Sequence, residues 1–194
     1  DGPPASHQAT KTPCDATLPL HICDALCQTG DVDPALLKRY QSLVGALLYC
    51  VGNTRPDAAF AVSMLCRVMS KPTQATYDDA LRVLCYLHRH RDVGLCYRAD
   101  GKPLRGQSDS DWGVQHSVSG WQFTFSQAVV SWGSKKQTSV ALSSCEAELM
   151  AASEATKEAL SLTAFLEELG YPPDGPTELG MDNQAAIAIS YNPE

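Results

Sequence analysis

No run of the sequence is long and apolar enough to cross a bilayer: the longest, LVGALLYCVG at 43–52, falls far short of the roughly 20 residues a helical span needs. The N-terminal stretch DGPPASHQATKTPCD lacks the apolar segment of a secretory signal. Paired cysteine motifs are missing too. The eight cysteines are scattered without a CxxC, which argues against a disulfide framework and for reduced thiols in an intracellular protein. The group His21-x-Cys23-x3-Cys27 has the residue types of half a metal site, but no second Cys/His pair has zinc-like spacing, so loop residues fit it better. A net positive charge is also lacking. At −7 the chain is no simple polyanion binder.

What is present is an uneven charge and an ordinary apolar content of 44%, enough for a globular core. Residues 36–105 hold eleven Lys and Arg against five acids, whereas residues 106–194 hold three Lys against twelve acids. Two jobs for two halves are implied. Residues 1–32, rich in Pro, Thr, Asp and Gln and without a sustained period, read as an extended leader. Asp33-Pro34 then supplies a cap and a first-turn proline for a helix whose apolar face includes Leu36, Tyr40, Leu43 and Leu47. NTRPD breaks it, a second helix covers 57–69, and a third covers about 74–90, with Arg82, Arg89 and Arg91 available to solvent. Together, residues 33–92 form a small three-helix unit.

From residue 93 the period changes. Asp100-Gly101 between VGLCYR and PLRGQSDSDW is a hairpin signal, SGWQFTFS and AVVSWGS are short and rich in aromatic and β-branched residues, and these strands read as an antiparallel meander. A long helix from Ser144 to about Leu169 follows, then the strand TELGMD and a short helix NQAAIAIS. The order βββαβα makes residues 93–194 a mixed α/β layer fold.

The carboxylates of this half form a pattern. On the long helix, Glu148 shares a stripe with Ala152, Ala155, Ala159, Leu162 and Leu166 at about 100° per residue, while Glu146 falls about 160° away and completes the capping pattern Ser143-x-x-Glu146. An inward carboxylate must be neutral, paired with a cation or bound to a metal. In LRGQSDSDW, alternation puts Gln107, Asp109 and Asp111 on one strand face, though Asp is depleted in strands. Asp182 ends a strand just before a helix, where ligand sites of α/β folds gather. Asp109, Glu148 and Asp182 would offer oxygen ligands of the kind that favour Mg²⁺ or Mn²⁺. The other reading has Asp111 closing a turn and Asp182 capping a helix.

The ordered set YQSLVGALLYCVGNTRPDAAFAVSML, SDSDWG, SGWQF, VVSWGSKKQTSVALSSCEAELMA and MDNQAAIAISYNPE, spanning about 40–194, resembles the Pol polyprotein of copia-type retrotransposons, at the tail of the reverse transcriptase and the ribonuclease H domain behind it. The resemblance implies a ribonuclease H-like mixed sheet and gives the three metal-binding positions to Asp109, Glu148 and Asp182. It implies Mg²⁺-dependent hydrolysis of the RNA strand of an RNA/DNA hybrid, with two ions roughly 4 Å apart. Lys135, Lys136, Arg82 and Arg89 would then meet phosphates.

Departures from the family's pattern count as well. The family continues past NPE to a histidine-rich segment and a fourth carboxylate with a further strand and helix, so the resemblance implies C-terminal truncation and an apolar sheet face left for a partner to cover. That partner would be the rest of a Pol polyprotein or a larger assembly. The alternative function is therefore a catalytically inactive, truncated or domesticated fragment serving as a binding or structural subunit. Further histidines and aromatics read as structural: His116 as a solvated loop residue, His88 and His90 as favourable charges at a helix C-terminus. For Trp112, Trp121 and Trp132, core packing fits better than base stacking.

Overall fold

The leader is not extended throughout. A computed structural model, which describes residues 11–99, 101–112 and 116–192, shows a helix, α1, at Leu18–Cys27. Its buried residues Leu18, Ile22 and Ala25 make a single stripe, too short a signal to stand out from the polar and proline-rich residues around it. A ten-residue helix is marginal alone, and this one is held by tertiary contact with α3 and α4, at Ala59–Cys66 and Gln74–Arg89. Two polar pairs fix it there: His21 Nδ1 lies 2.8 Å from Asp79 Oδ2, and Arg82 Nη1 donates to Asp15 Oδ2 at 2.6 Å. Arg82 is thus engaged by the leader rather than available to solvent.

The rest of this unit, Asp1–Gly94, follows from local signals. Helix α2, Pro34–Asn53, is capped by the Asp33 carboxylate, which accepts from Ala35 N at 3.0 Å. It buries Tyr40, Val44, Leu47 and Val51 at helical spacing, and the Tyr40 hydroxyl donates to Leu65 O at 2.8 Å. Pro56–Ala58 is a single 3₁₀ turn into α3. Helix α3 stops at Cys66, short of the predicted 69, because Arg67, Val68 and Met69 tighten into i−3 bonds. Thr73 and Thr76 cap α4 reciprocally. Arg55, only 8% exposed, pairs with Asp57 at 2.7 Å and donates to His90 O at 3.0 Å, tying the end of α4 to the break after α2.

The second unit is Leu95–Glu194. The predicted hairpin around Asp100-Gly101 is absent from the described residues: 93–98 form no strand, and Asp100 lies outside them. Gly101 has the left-handed φ of +69° that a turn wants. A turn signal supplies no pairing partner, however, and Arg98 N–H instead donates to Ser126 O at 2.9 Å, with Tyr97 Oη donating to Val129 O at 2.9 Å. The meander is β1 (Arg105–Asp111), β2 (Val118–Phe125) and β3 (Ala128–Lys136), each antiparallel to the next. Ser126 and Gln127 make the tight β2–β3 turn with φ of 51° and 68°. After α5 (Ser144–Glu168), the short β4 (Glu178–Gly180) lies parallel to β1, giving the order β3-β2-β1-β4, and α6 (Gln184–Tyr191) follows. The described chain is therefore α/β, with a mixed four-stranded sheet and six α-helices.

One sheet face packs on α5. Leu104, Phe123 and Ala155 form its buried centre, flanked by Trp121, Phe125, Leu162, Leu166 and Leu179. Gly106 is required there, since a Cβ would overlap the Phe123 ring. The β1 side chains of the opposite face are polar: Arg105, Gln107, Asp109 and Asp111 alternate outward, and Gln122 Nε2 donates to Gln107 Oε1 at 2.7 Å. Along β1 the face away from α5 is therefore polar, whereas β2 and β3 place Val118 and Trp132, in register with Asp111 and Gln122, on that same face. No helix among the described residues is long and apolar enough to cross a membrane.

Candidate metal centre

Strand alternation and helix periodicity bring three carboxylates to one end of the sheet. Ser143 starts α5 by accepting Glu146 N–H at 3.1 Å, and the Glu146 carboxylate reaches back to Leu142 N–H at 2.7 Å. Two residues on, Glu148 turns inward and is 5% exposed. Its Oε1 accepts two bonds from Ser110 of β1, from the backbone N–H at 3.1 Å and the hydroxyl at 2.8 Å. Its Oε2 is buried without a hydrogen-bond partner. Asp109 comes from the outward parity of β1. Asp182 comes from the β4–α6 junction, where the neighbouring Asn183, not Asp182, caps α6 by accepting Ala186 N–H at 3.0 Å. Asp109, Glu148 and Asp182 each offer an oxygen within 4.8 Å of the others.

Three converging carboxylates oppose one another electrostatically. Burial pushes the Glu148 carboxyl up from its usual range; the Ser110 bonds counter that, and the charges of Asp109 and Asp182 add to it. A hard divalent cation would resolve both difficulties, by neutralising the cluster and by offering the idle Glu148 oxygen a partner. The donor set, all carboxylate oxygen with two exposed members, fits Mg²⁺ or Mn²⁺. Sequence reasoning missed Ser110. Its only signal was its place between two aspartates on the opposite strand parity, facing α5.

The basic residues separate. Cross-strand register aligns Ser110, Ser119 and Lys135 on the α5 side, where Lys135 pairs with Glu154 at 2.9 Å. Lys136 aligns with Val118 and Asp111 on the other side, about 10 Å of sheet from Asp111. Arg82 and Arg89 lie on α4, in the other unit, and Arg82 is bound to Asp15. His116 is half-buried with an unpartnered Nδ1. His88 sits in the last turn of α4, and the His90 ring packs 4.7 Å from Tyr86. His21, Cys23 and Cys27, expected in a loop, lie on α1, where His21 faces Asp79 and both cysteines are exposed. Trp121 joins the core, whereas Trp112 is 56% exposed.

Fold and site together define an α/β protein with a three-carboxylate cluster at the end of its sheet. The Retrovirus-related Pol polyprotein from transposon TNT 1-94 of Nicotiana tabacum is 38% identical over 157 residues, 79% of this chain and 12% of that protein. The corresponding polyprotein from transposon RE2 of Arabidopsis thaliana is 33% identical over 159 residues, 79% of this chain and 11% of that protein. Secreted RxLR effector protein 161 of Plasmopara viticola is 46% identical over 129 residues, 64% of this chain and 91% of that protein. The chain belongs to one family with this effector protein, and its homologues include copia-type retrotransposon Pol polyproteins, of which it spans about a tenth. No family model and no solved structure matches it.

Proposed function

We propose that the second unit is a ribonuclease H-like nuclease domain that hydrolyses the RNA strand of RNA/DNA hybrids. The observation that carries this reading is the meeting of Asp109, Glu148 and Asp182, from a strand, a helix and a strand–helix junction remote in sequence. These three would hold Mg²⁺ or Mn²⁺, two ions in the full arrangement, which when bound supply activation of water and charge neutralisation at the leaving oxygen. Glu148 is fixed by Ser110, so its free oxygen is held in place for a ligand rather than searching for one. Asp109 and Asp182 are exposed and accessible to a phosphodiester. Lys136, on the same sheet face as Asp111, would bind a phosphate of the same duplex. Such a substrate implies action inside the cell.

A second reading is a noncatalytic subunit that keeps the fold for binding. It is favoured by the 46% identity to a relative that is nearly covered by this chain and is not named a polyprotein. Incubation with a labelled RNA/DNA hybrid and Mg²⁺ or Mn²⁺ separates the two. The nuclease cleaves the RNA strand, and Asp109→Asn or Glu148→Gln lowers the rate by at least about a hundredfold. Cleavage that persists undiminished in both variants would sink the nuclease reading, and a protein that binds hybrid without cutting it is the subunit.

A further inference from the structure

Apart from Glu148 itself, the buried side chains at the start of α5 are small: Ala147 and Ala151, with Ser117 and Ser119 buried on β2 and the residue before it. The larger apolar residues of α5 that join the core, Leu162 and Leu166, lie several turns further along. Few atoms in contact give little resistance to a shift of the helix, so polar tethers set its position at this end. Gln137 supplies one. It follows β3 directly, is 5% exposed, and extends the pairing with β2 by donating its backbone N–H to Ser117 O at 2.8 Å. Its side-chain Nε2 donates to Ser119 Oγ at 3.0 Å and to the carbonyl of Ala147, the residue before Glu148, at 2.9 Å. Its Oε1 is buried with no hydrogen-bond partner among the described residues. An unmatched buried acceptor costs stability, so what this side chain contributes lies in its donor.

We propose that Gln137 is a positioning residue of the metal centre: it pins the backbone of α5 one residue before Glu148, so that the carboxylate stays in the grip of Ser110. The inference rests on the metal centre of the nuclease reading. A glutamate side chain turns about several bonds, and the two bonds from Ser110 fix only its tip. The tip keeps its place for a ligand only when the Cα behind it is held too. Gln137 holds it from the same sheet, because Ser119, its other partner, stands opposite Ser110 in the β1–β2 register. The tethers close a ring from Ala147 through Gln137, Ser119 and the strand pairing to Ser110, and back to Glu148. Without the Gln137 bonds the first turns of α5 shift on the sheet and the free Glu148 oxygen leaves its alignment with Asp109 and Asp182, so metal affinity falls further than stability does.

The probe is Mn²⁺ alone, titrated into the full chain and followed by the EPR signal of the free ion. Melting without divalent cation, and kcat and KM for hybrid cleavage, are measured alongside. Wild type takes up the ion and Asp109→Asn does not. Gln137→Met, which keeps the length of the side chain and removes its donor, weakens Mn²⁺ binding about tenfold with melting little changed. It lowers kcat at limiting metal with KM for the hybrid unaltered, and excess Mn²⁺ restores kcat, which a general loosening of the fold would not allow. In a Ser110→Ala background the same substitution costs far less affinity, because the grip it protects is already weakened. Ser119→Ala removes one of the amide's two acceptors, falls between wild type and Gln137→Met, and carries the test where Gln137→Met does not fold. Unchanged Mn²⁺ affinity in both variants overturns the positioning role while leaving the metal centre standing. Losses that simply add in the double variant overturn its action through Ser110. Absence of Mn²⁺ uptake by the wild type overturns the positioning role and the nuclease reading together.

Discussion

Glu146 and Glu148 stand two positions apart on α5 and carry opposite duties. Glu146 bonds only to local backbone and is exposed; Glu148 is buried, bonded across to β1 and left with one idle oxygen. Their replacements should differ accordingly. Glu148→Gln keeps an acceptor for Ser110 while removing a buried charge, so its melting temperature without divalent cation is expected to equal or exceed the wild type. Mg²⁺ at about tenfold over its Kd should raise the wild type and Glu146→Gln by about 5 °C and leave Glu148→Gln unmoved. Differential scanning fluorimetry measures all three, and an equal shift in Glu148→Gln would remove this residue from the metal centre. In the first unit, Asp57 shows the opposite electrostatics. Burial alone would raise its carboxyl, but hydrogen bonds from Arg55 and Tyr86, with the Arg55 charge, outweigh burial and hold it below its ordinary value of 3.8. A depressed carboxylate stabilises the fold above its unfolded value and loses that contribution as pH falls through the folded one. Asp57→Asn should therefore cost stability at pH 7 and progressively less in strong acid, read from urea unfolding at the two conditions. A gap that stays constant with pH would show that the pair contributes nothing through its charge.

At the scale of elements, the sharpest difference between sequence and structure is α1. Residues 1–32 carry no sustained period, yet Leu18 and Ile22 are 1% and 2% exposed. Local propensity could not reveal this, because what stabilises a helix of this length is the α3–α4 surface, and nothing within the leader encodes that surface. Leu18→Ala accordingly should destabilise the first unit by about 2–5 kcal/mol in urea denaturation. A change below about 0.5 kcal/mol would mean that the leader is dispensable to the core. The hairpin that the described residues of 93–104 do not form has the same origin in reverse. Asp-Gly encodes a turn, but VGLCYR buries almost nothing, so no strand forms on its side. The elements that were legible, α2, α4, α5 and the three-stranded meander, are those whose caps and periods agree with what they bury.

Across the whole molecule, the charge asymmetry of the sequence turns out to be divided between uses. Part of the basic charge of the first unit is consumed internally, Arg55 on Asp57 and Arg82 on Asp15, while the acidic second unit gathers three of its carboxylates into one cluster. The sequence by itself determined which glutamate of α5 faces inward and which parity of β1 carries the aspartates, because 3.6 and 2 are periods fixed by backbone geometry. It also set the helix caps at Asp33 and Ser143. Only the tertiary structure decided that Ser110 anchors Glu148, that Lys135 pairs with Glu154 of α5, that α1 forms, and that Trp112 is held outward while Trp121 packs against the core. Each of these depends on what a neighbouring element presents across a gap of tens of residues, and periodicity along one element carries no record of it.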